Sequence, residues 1–529
     1  QKHLPWLLAF SLPATAAQVE LSKQTVSADF RQTDVQALAE STTVVSSEQI
    51  SARSADHLEQ VLSFAPNVNF ASGSSRARFF QIRGIGEESQ FIDPVNPSIG
   101  LVVDGIDMTG LGTGAALFDV QQVEILRGSQ GTRFGANALG GLINIQSAAP
   151  TAQPSGYVAG KLGTYHSYGF GGALSGALSN SVQGRLAAQR YQSNGYMQND
   201  FLDRKDTQNQ EETLLRGKLH WQPNAQSELK LVYFFANMDN GYDAFTVDNS
   251  RHTLSDQPGK DTQKTHALSL SYDTQLNSAV NLFSQVTGSN SKTLYSYDED
   301  WVNPVYGELW GAGFDEYARD YQRLSAELRL LSGETGRIFA SSTDWVVGTY
   351  FMQRNEKLAR DYSWNGGLIY KNELDVNALS FYGELTTHFG AGTRLVYGAR
   401  LENWRNDINE NRHYMDATKQ DLNASTDEWL VGGKVSLEQD IGLNHLGYLT
   451  LARGYKAGGI NTAPSISTDK RQFKTEFNNS VETGLKSLWL DDALSTRIAA
   501  FYIDRQKQQV KSSYPIPNRC CSDSIVFPY

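Results

Sequence analysis

The chain has 529 residues, with 46 Lys and Arg against 57 Asp and Glu. Its formal net charge is -11 and its pI near 5.4, a balance that argues against a nucleic-acid partner. The one sustained apolar run, Leu4–Leu12, is too short to cross a bilayer as a helix, and mean hydropathy is -0.42. With 46 Gly, 11% aromatics and only 5 Met, the composition suits a β-rich architecture with many turns. The two cysteines, Cys520 and Cys521, are adjacent; they make no disulfide framework and are left unassigned. No His-Glu-x-x-His or Gly-x-Ser-x-Gly motif occurs, and the nine histidines are scattered, so no enzyme, cofactor or metal site is expected.

The elements follow in chain order. Leu4–Leu12 comes after Lys2 and His3 and before Ala14-Thr15-Ala16-Ala17, the pattern of a secretory leader cut after Ala16 or Ala17; residues 1–17 are read as its remnant, the initiator Met being absent. Residues 18 to about 38 are polar and aperiodic, which predicts a flexible segment. Thr42–Val45 is a β-branched run, and Ser47–Ile50 opens a helix. Over Ser54–Ser63 the residues Ala55, Leu58 and Leu62 share a helical face, with Ser54 as N-cap and Pro66 as terminator. Phe79–Gly84 and Leu101–Gly105 read as strands, Asp104-Gly105 being a hairpin-turn pair, with a polar loop at Glu87–Ser98 between them. Val123–Leu126 and Leu142–Ile145 then flank Gly128, Gly131, Gly135, Gly140 and Gly141. So many glycines between strands mean close backbone approach or positive φ; the spacing matches no nucleotide-binding fingerprint. Together these elements predict an α+β unit over 40–149.

After Pro150 the pattern is two-residue alternation. Leu215, Gly217, Leu219 and Trp221 alternate with Arg216, Lys218 and His220. Phe381, Gly383 and Leu385 alternate with Tyr382, Glu384 and Thr386. Leu395, Tyr397, Ala399 and Leu401 alternate with Arg394, Arg400 and Glu402. Such strands suit lipid outside and a wet lumen inside. Connections run short and long in turn: short near 179–181, 222–226, 275–279, 390–392, 441–444 and 490–492, somewhat longer near 333–342, and long near 194–210, 239–261, 298–316, 360–371, 407–425 and 457–474. About fifteen strands result, the last over Leu494–Lys511, and that run is expected to enter a loop holding Pro515, Pro517 and both cysteines.

The stretch Val123–Ile145, VEILRGSQGTRFGANALGGLINI, resembles the signature loop of the plug domain in TonB-dependent outer-membrane receptors of the siderophore-receptor type. Glu124, Arg127 and Gly128 open the signature and Phe134–Ala138 close it. The resemblance implies an all-β transmembrane antiparallel β-barrel of the 22-stranded type in the outer membrane of a Gram-negative bacterium, with an N-terminal α+β plug in its lumen. Against 22 strands the chain would lack about seven at its C-terminus, leaving 150–529 as an incomplete barrel. The flexible segment 18–39 would hold the TonB box, with Glu20, Leu21, Gln24, Thr25, Val26, Ser27 and Ala28 as candidates; a plain linker is the alternative. Arg83, Gly84, Glu124, Arg127, Gly128, Gly131, Phe134, Gly135 and Asn137 form the plug signature, Glu124 and Arg127 being switch charges that Glu384, Arg400 and Glu402 of the barrel could pair, unless each is merely solvated.

The resemblance further implies gated uptake of a scarce ligand, foremost a ferric siderophore, driven by TonB with ExbB and ExbD in a monomeric receptor embedded in outer-membrane lipid. Haem, cobalamin, another metal chelate or an oligosaccharide are alternative cargoes, and a passive pore or adhesin is the rival class. Loop aromatics could grip a chelate: Tyr242, Phe245, Tyr295, Tyr297, Trp301, Tyr306, Trp310, Tyr362, Trp364 and Tyr370. Arg405 or Arg412 could meet its negative charge. Several of these aromatics could instead belong to the interfacial girdle.

Overall fold

The computed structural model describes residues 24–27, 30–72, 75–88, 96–112, 116–307, 313–363, 368–390, 392–414, 419–462, 471–515 and 522–528. Glu20, Leu21, Ala28, Trp310, Trp364, both cysteines and the leader-like stretch lie outside them.

Fifteen antiparallel strands form one sheet in chain order: Ser155–Gly163, Ser167–Ala177, Val182–Ser193, Gln210–Asn224, Ser227–Tyr242, Gly259–Asn277, Val280–Asp298, Phe314–Ser332, Thr343–Tyr362, Leu368–His388, Thr393–Tyr414, Lys419–Ile441, His445–Lys456, Glu476–Trp489 and Leu494–Gln506. Among the described residues the first and last of these each pair on one side only. The last strand stops earlier than expected. Lys507 has φ +55, which breaks the extended run, and Gln509–Pro515 turns away to pair with Ser522–Pro528.

The alternation sorts the faces as read. Leu401 and Phe381 are 42% and 53% exposed while Arg400 and Glu402 are each 2% exposed, so charge faces the lumen and hydrocarbon the outer wall. Two features depart from the expectation. Leu214, Phe234, Ala236, Met238 and Ala267 also face inward, because they pack on the apolar core of the plug and so need no water. Several expected outer loops are strand: the connection expected at 407–425 shrinks to the step between Tyr414 and Lys419. Backbone ladders need no lipid to persist, so antiparallel pairing continues above the membrane.

The plug carries a five-stranded sheet in the order Ser41–Ser46, Val120–Arg127, Gly141–Ser147, Ile99–Val103 and Ile106–Asp107. Ile99–Val103 runs parallel to Gly141–Ser147. Its turn, Asp104 at φ +49 and Gly105 at φ +83, is the expected tight hairpin. Val123, Ile125, Ile143 and Ile145 are fully buried, with Leu58, Val61 and Leu62 packed in the same core. The first helix starts at Ser47 as expected, and the helix expected over Ser54–Ser63 does not form. Ser46 caps Ser47–Ala52 through a capping box with Gln49, whereas Ser54 lies at φ +49 and caps nothing. The Gln60 side chain takes the N–H groups of Asp56 (2.6 Å) and His57 (3.1 Å), so 3-10 turns at Leu58–Gln60 and Leu62–Phe64 replace the expected helix.

Candidate functional site

The N-terminal segment is docked rather than loose over its described residues. Thr25–Val26 pairs with Thr33–Asp34, and Val26, Val35 and Leu38 are buried with Val44, Leu126 and Leu142 of the plug. Polar contacts then fix it in register. Glu124, wholly buried, accepts from the Ser27 N–H (3.0 Å), the Ser27 hydroxyl (3.1 Å), Gln122 Nε2 (2.6 Å) and Asn144 Nδ2 (2.9 Å). Gln122 also donates to the Thr25 carbonyl (2.8 Å) and Arg133 to the Ser27 carbonyl (3.2 Å). Hydrogen bonds to an ionised group are the stronger class, so Glu124 acts as the centre of a latch on residues 25–27. Phe30 extends the dock, stacking on Tyr382 with 5.4 Å between ring centroids, while its carbonyl accepts from Arg329 (3.1 Å).

The barrel charges expected to pair with Glu124 and Arg127 are engaged differently. Arg400 and Glu402 pair with each other at 2.7 Å, and Glu402 also accepts from the Tyr455 hydroxyl (2.9 Å). Glu384 pairs with Lys434 (3.0 Å). Arg400 reaches the plug at the Arg133 carbonyl (2.9 Å), beside Gly135, which sits at φ +65 where a Cβ would collide with the Glu402 carboxylate. A Cβ on Gly131 would lie 3.3 Å from the Gly454 Cα of the barrel wall, so these two signature glycines are spacers that let plug backbone approach the barrel. Gly128, at φ +104, carries the turn after Arg127, and Phe134 packs on the dock of the N-terminal segment. Asn137 Nδ2 reaches Asp107 Oδ2 at 3.5 Å. Arg127 donates to the Pro66 carbonyl (3.1 Å). Arg83, in the left-handed pair Arg83-Gly84, makes the ion pair to the barrel, with Glu482, and lies 3.9 Å from the Phe501 ring centroid.

Further plug charges are tied to the wall. Lys456 pairs with Glu87 (2.8 Å), and although burial opposes ionisation of Glu87, the ammonium holds that carboxyl below its ordinary range. Burial likewise opposes charge on His57, yet the Glu212 carboxylate at 2.7 Å outweighs it and raises the imidazole to about 9.

On the outer side the expected aromatics converge. Tyr242, Tyr295 and Tyr370 are buried in one cluster with Tyr317 and Leu358, and Phe245 and Tyr297 pack against it. Trp301 stacks on Phe245 (5.1 Å, 10°) and is 41% exposed. Asp315 anchors the cup, held by Arg360 (2.8 and 2.7 Å) and by the hydroxyls of Tyr297 (3.1 Å) and Tyr317 (2.9 Å). Tyr362 stacks on the Arg360 guanidinium, 4.6 Å from its ring centroid. From below, the plug presents Arg78, which pairs with Asp261 and lies 5.9 Å from the Tyr295 ring. Tyr306 lies in the short helix Pro304–Gly307. Arg412 is buried and tied to Glu410 (2.5 Å), which also accepts from Tyr370 (2.9 Å). Arg405 shares the parity of Leu401, so it faces the outer wall, where it pairs with Asp407 (2.9 Å). Among the described residues no group of three or more His, Cys, Asp or Glu forms a metal cluster. Sequence reasoning missed Gln122, Arg133 and Asn144 at the latch and Asp315, Tyr317 and Arg360 in the cup; of these Arg133 and Asn144 carry a sequence signal, their place inside the signature stretch Val123–Ile145.

Comparison with known proteins agrees with this architecture. Residues 34–142 match the TonB-dependent receptor plug domain and residues 199–529 the TonB-dependent receptor-like β-barrel. The chain is 27% identical over 489 residues to a pesticin receptor of Yersinia enterocolitica, covering 89% of this chain and 68% of that protein. It is 23% identical over 227 residues to the ferrichrome outer membrane transporter/phage receptor of Escherichia coli, covering 42% and 29%. Among solved structures, the ferric yersiniabactin uptake receptor FyuA of Yersinia pestis superposes with a TM-score of 0.79 at 23% identity, over 89% of this chain and 73% of that one. The ferric-catecholate import receptor Fiu of Escherichia coli superposes with a TM-score of 0.75 at 15% identity, over 96% and 78%. With both family domains matched in order, and a plug seated inside a barrel-type sheet, the chain belongs to the TonB-dependent receptors of the Gram-negative outer membrane.

Proposed function

We propose that this chain imports a ferric siderophore across the outer membrane, driven by TonB with ExbB and ExbD and acting as a monomer. The observation that carries the reading is the latch. A passive pore has no use for a plug whose N-terminal segment is clasped through Glu124, because nothing would pull on it. An extended segment freed from such a clasp can add as a strand to a partner's sheet edge. Cargo bound in the aromatic cup shifts the plug only by its preference for one state; a tightly held chelate therefore needs external work to leave. Similar proteins described as a ferric yersiniabactin uptake receptor and a ferrichrome transporter support an iron chelate over haem or an oligosaccharide, while a vitamin B12 transporter is also among the relatives.

The experiment is a proline scan through Gln24–Ser27 in the complete gene, with whole-cell ligand binding and uptake measured in parallel. Proline removes the backbone donor that strand addition uses, so uptake is expected to fail while surface binding persists. Uptake that survives at every position, or after collapse of the proton gradient, would overturn the reading. Growth of a deletion strain on single iron or cobalt sources identifies the cargo.

A further inference from the structure

The outer lip of the cup is a seam between two segments, 243–258 and 299–307. Phe245 of the first stacks on Trp301 of the second. Two hydrogen bonds run beside that stack: the Asp256 N–H donates to the Val302 carbonyl (3.2 Å) and Asn303 Nδ2 to the Leu254 carbonyl (3.1 Å). At the root of the seam stands Asp298, the last residue of its strand and 5% exposed. Lys292, of the same parity as the outward Val286, already reaches into water six residues below it, so the strand end lies above the lipid.

Asp298 Oδ1 accepts the Asp300 N–H (3.3 Å), while Oδ2 is buried without a hydrogen-bond partner. The Asp300 carboxyl lies within hydrogen-bonding reach of it, and the Asp256 carboxyl faces both across the seam. The other charges nearby are engaged elsewhere. Asp243 is held by Asn199 (2.9 Å) and Thr253 (2.8 Å), His252 pairs with Asp200 (2.9 Å), Arg360 is taken by Asp315, and Glu299 bonds to Tyr297. Three carboxyls thus meet with no cation between them among the described residues, and they do not gather as the donors of a metal would. A buried carboxylate without a counter-charge is too costly to persist, and two in contact cannot both ionise. Burial pushes the Asp298 carboxyl up to about 7, with Asp300 and Asp256 acting the same way against the Ser255 hydroxyl.

We infer that this seam is a proton-operated clasp: when it is closed, Asp298 and Asp300 share one proton, and loss of that proton parts segment 299–307 from segment 243–258 and breaks the Phe245–Trp301 stack. The proton comes from water and returns to it, so no other reactant is involved. Opened to water, the Asp298 carboxyl titrates near its ordinary value of about 3.9. Because the closed value lies higher, the clasp is at full strength below about 3.9 and is lost as pH rises through about 7. The acidity outside the cell thereby sets how firmly the lip of the cup is held. The inference goes beyond the uptake reading and does not depend on it, since the seam closes without cargo.

The test uses the purified full-length receptor in detergent, with Cys520 and Cys521 changed to Ser and nitroxides on Val247→Cys and Val305→Cys, exposed positions on the two segments. Pulsed electron double resonance reads the distance between them at about pH 5 and about pH 8.5, on either side of the titration. One short distance is expected in acid, and the ratio of open to closed forms is expected to rise by up to about a hundredfold in base. Asp298→Asn, neutral at every pH, should stay closed throughout, and Asp300→Asn, which removes the neighbouring charge, should shrink the change. A distance in the labelled parent that does not move with pH would overturn the inference, as would an equal movement in Asp298→Asn, which assigns the change to another group. Closure of the parent in base on addition of calcium chloride would overturn it as well, a divalent cation then being the counter-charge. No cargo, TonB or proton gradient enters this assay, so it reads independently of whether uptake proves TonB-driven.

Discussion

The backbone N–H of Ser27 donates to Glu124 at 3.0 Å across 97 residues of sequence, and the Ser27 hydroxyl donates to the same oxygen. The first charge of the plug signature is thus engaged by the N-terminal segment. Replacing it with Ala removes two bonds to that segment, each of the charged class worth about 1.5–3 kcal/mol. A nitroxide on Thr25→Cys should change from an immobilised to a mobile spectrum in Glu124→Ala without any ligand. Retention of the immobilised line shape would show that Val26 packing alone holds the segment.

Arg83 and Glu482 form a buried ion pair between plug and barrel. Removing one member strands the other, at a cost of about 3–5 kcal/mol. Arg83→Ala should therefore make the plug sensitive to protease at lower urea than the wild type, with the barrel midpoint unmoved. Coincident midpoints in variant and wild type would mean that Arg127 takes over the carboxylate.

The His57–Glu212 pair gives a pH dependence with a defined sign. The folded imidazole titrates near 9, above the unfolded value of about 6.5. Its contribution is therefore complete below about 6.5 and is lost as pH rises through 9. Proteolysis of the plug at fixed denaturant should accelerate between these limits, and His57→Gln should flatten that rise. A rise of equal size in the variant would assign the dependence elsewhere.

In the cup, Trp301→Ala removes an exposed ring stacked on Phe245. Aromatic pairs of this kind contribute about 0.5–1.5 kcal/mol beyond their area, so affinity for a ferric chelate should fall by up to about tenfold while the maximal uptake rate holds. Arg405→Ala should change neither, because that side chain points away from the lumen. Loss of binding in Arg405→Ala would place the ligand somewhere other than the cup.

Much of this was legible in sequence for one physical reason. Strands between lipid and water must alternate, so Leu219 against Arg216, or Phe381 against Tyr382, declares its face. The hairpin at Asp104-Gly105 was legible because only certain residues tolerate two successive positive φ values. The dock of the N-terminal segment was not. Val26, Val35 and Leu38 are spaced without period, and what orders them is a surface assembled from Val44, Leu126 and Leu142. Nor was the boundary between strand and loop near Tyr295, Tyr370 and Arg412, since polar composition looks the same whether a ladder continues into water or ends there.

The long strands have a consequence for where recognition happens. Thr393–Tyr414 spans 22 residues, a rise of roughly 50 Å at a tilt near 45°, whereas the apolar band of such barrels is about 25 Å tall. About half of such a long strand therefore stands in water like a chimney above the lipid, and the cup lies within that part. A ligand is sorted out there, where a wrong one can diffuse away, and the step that consumes energy is reserved for what has already been accepted.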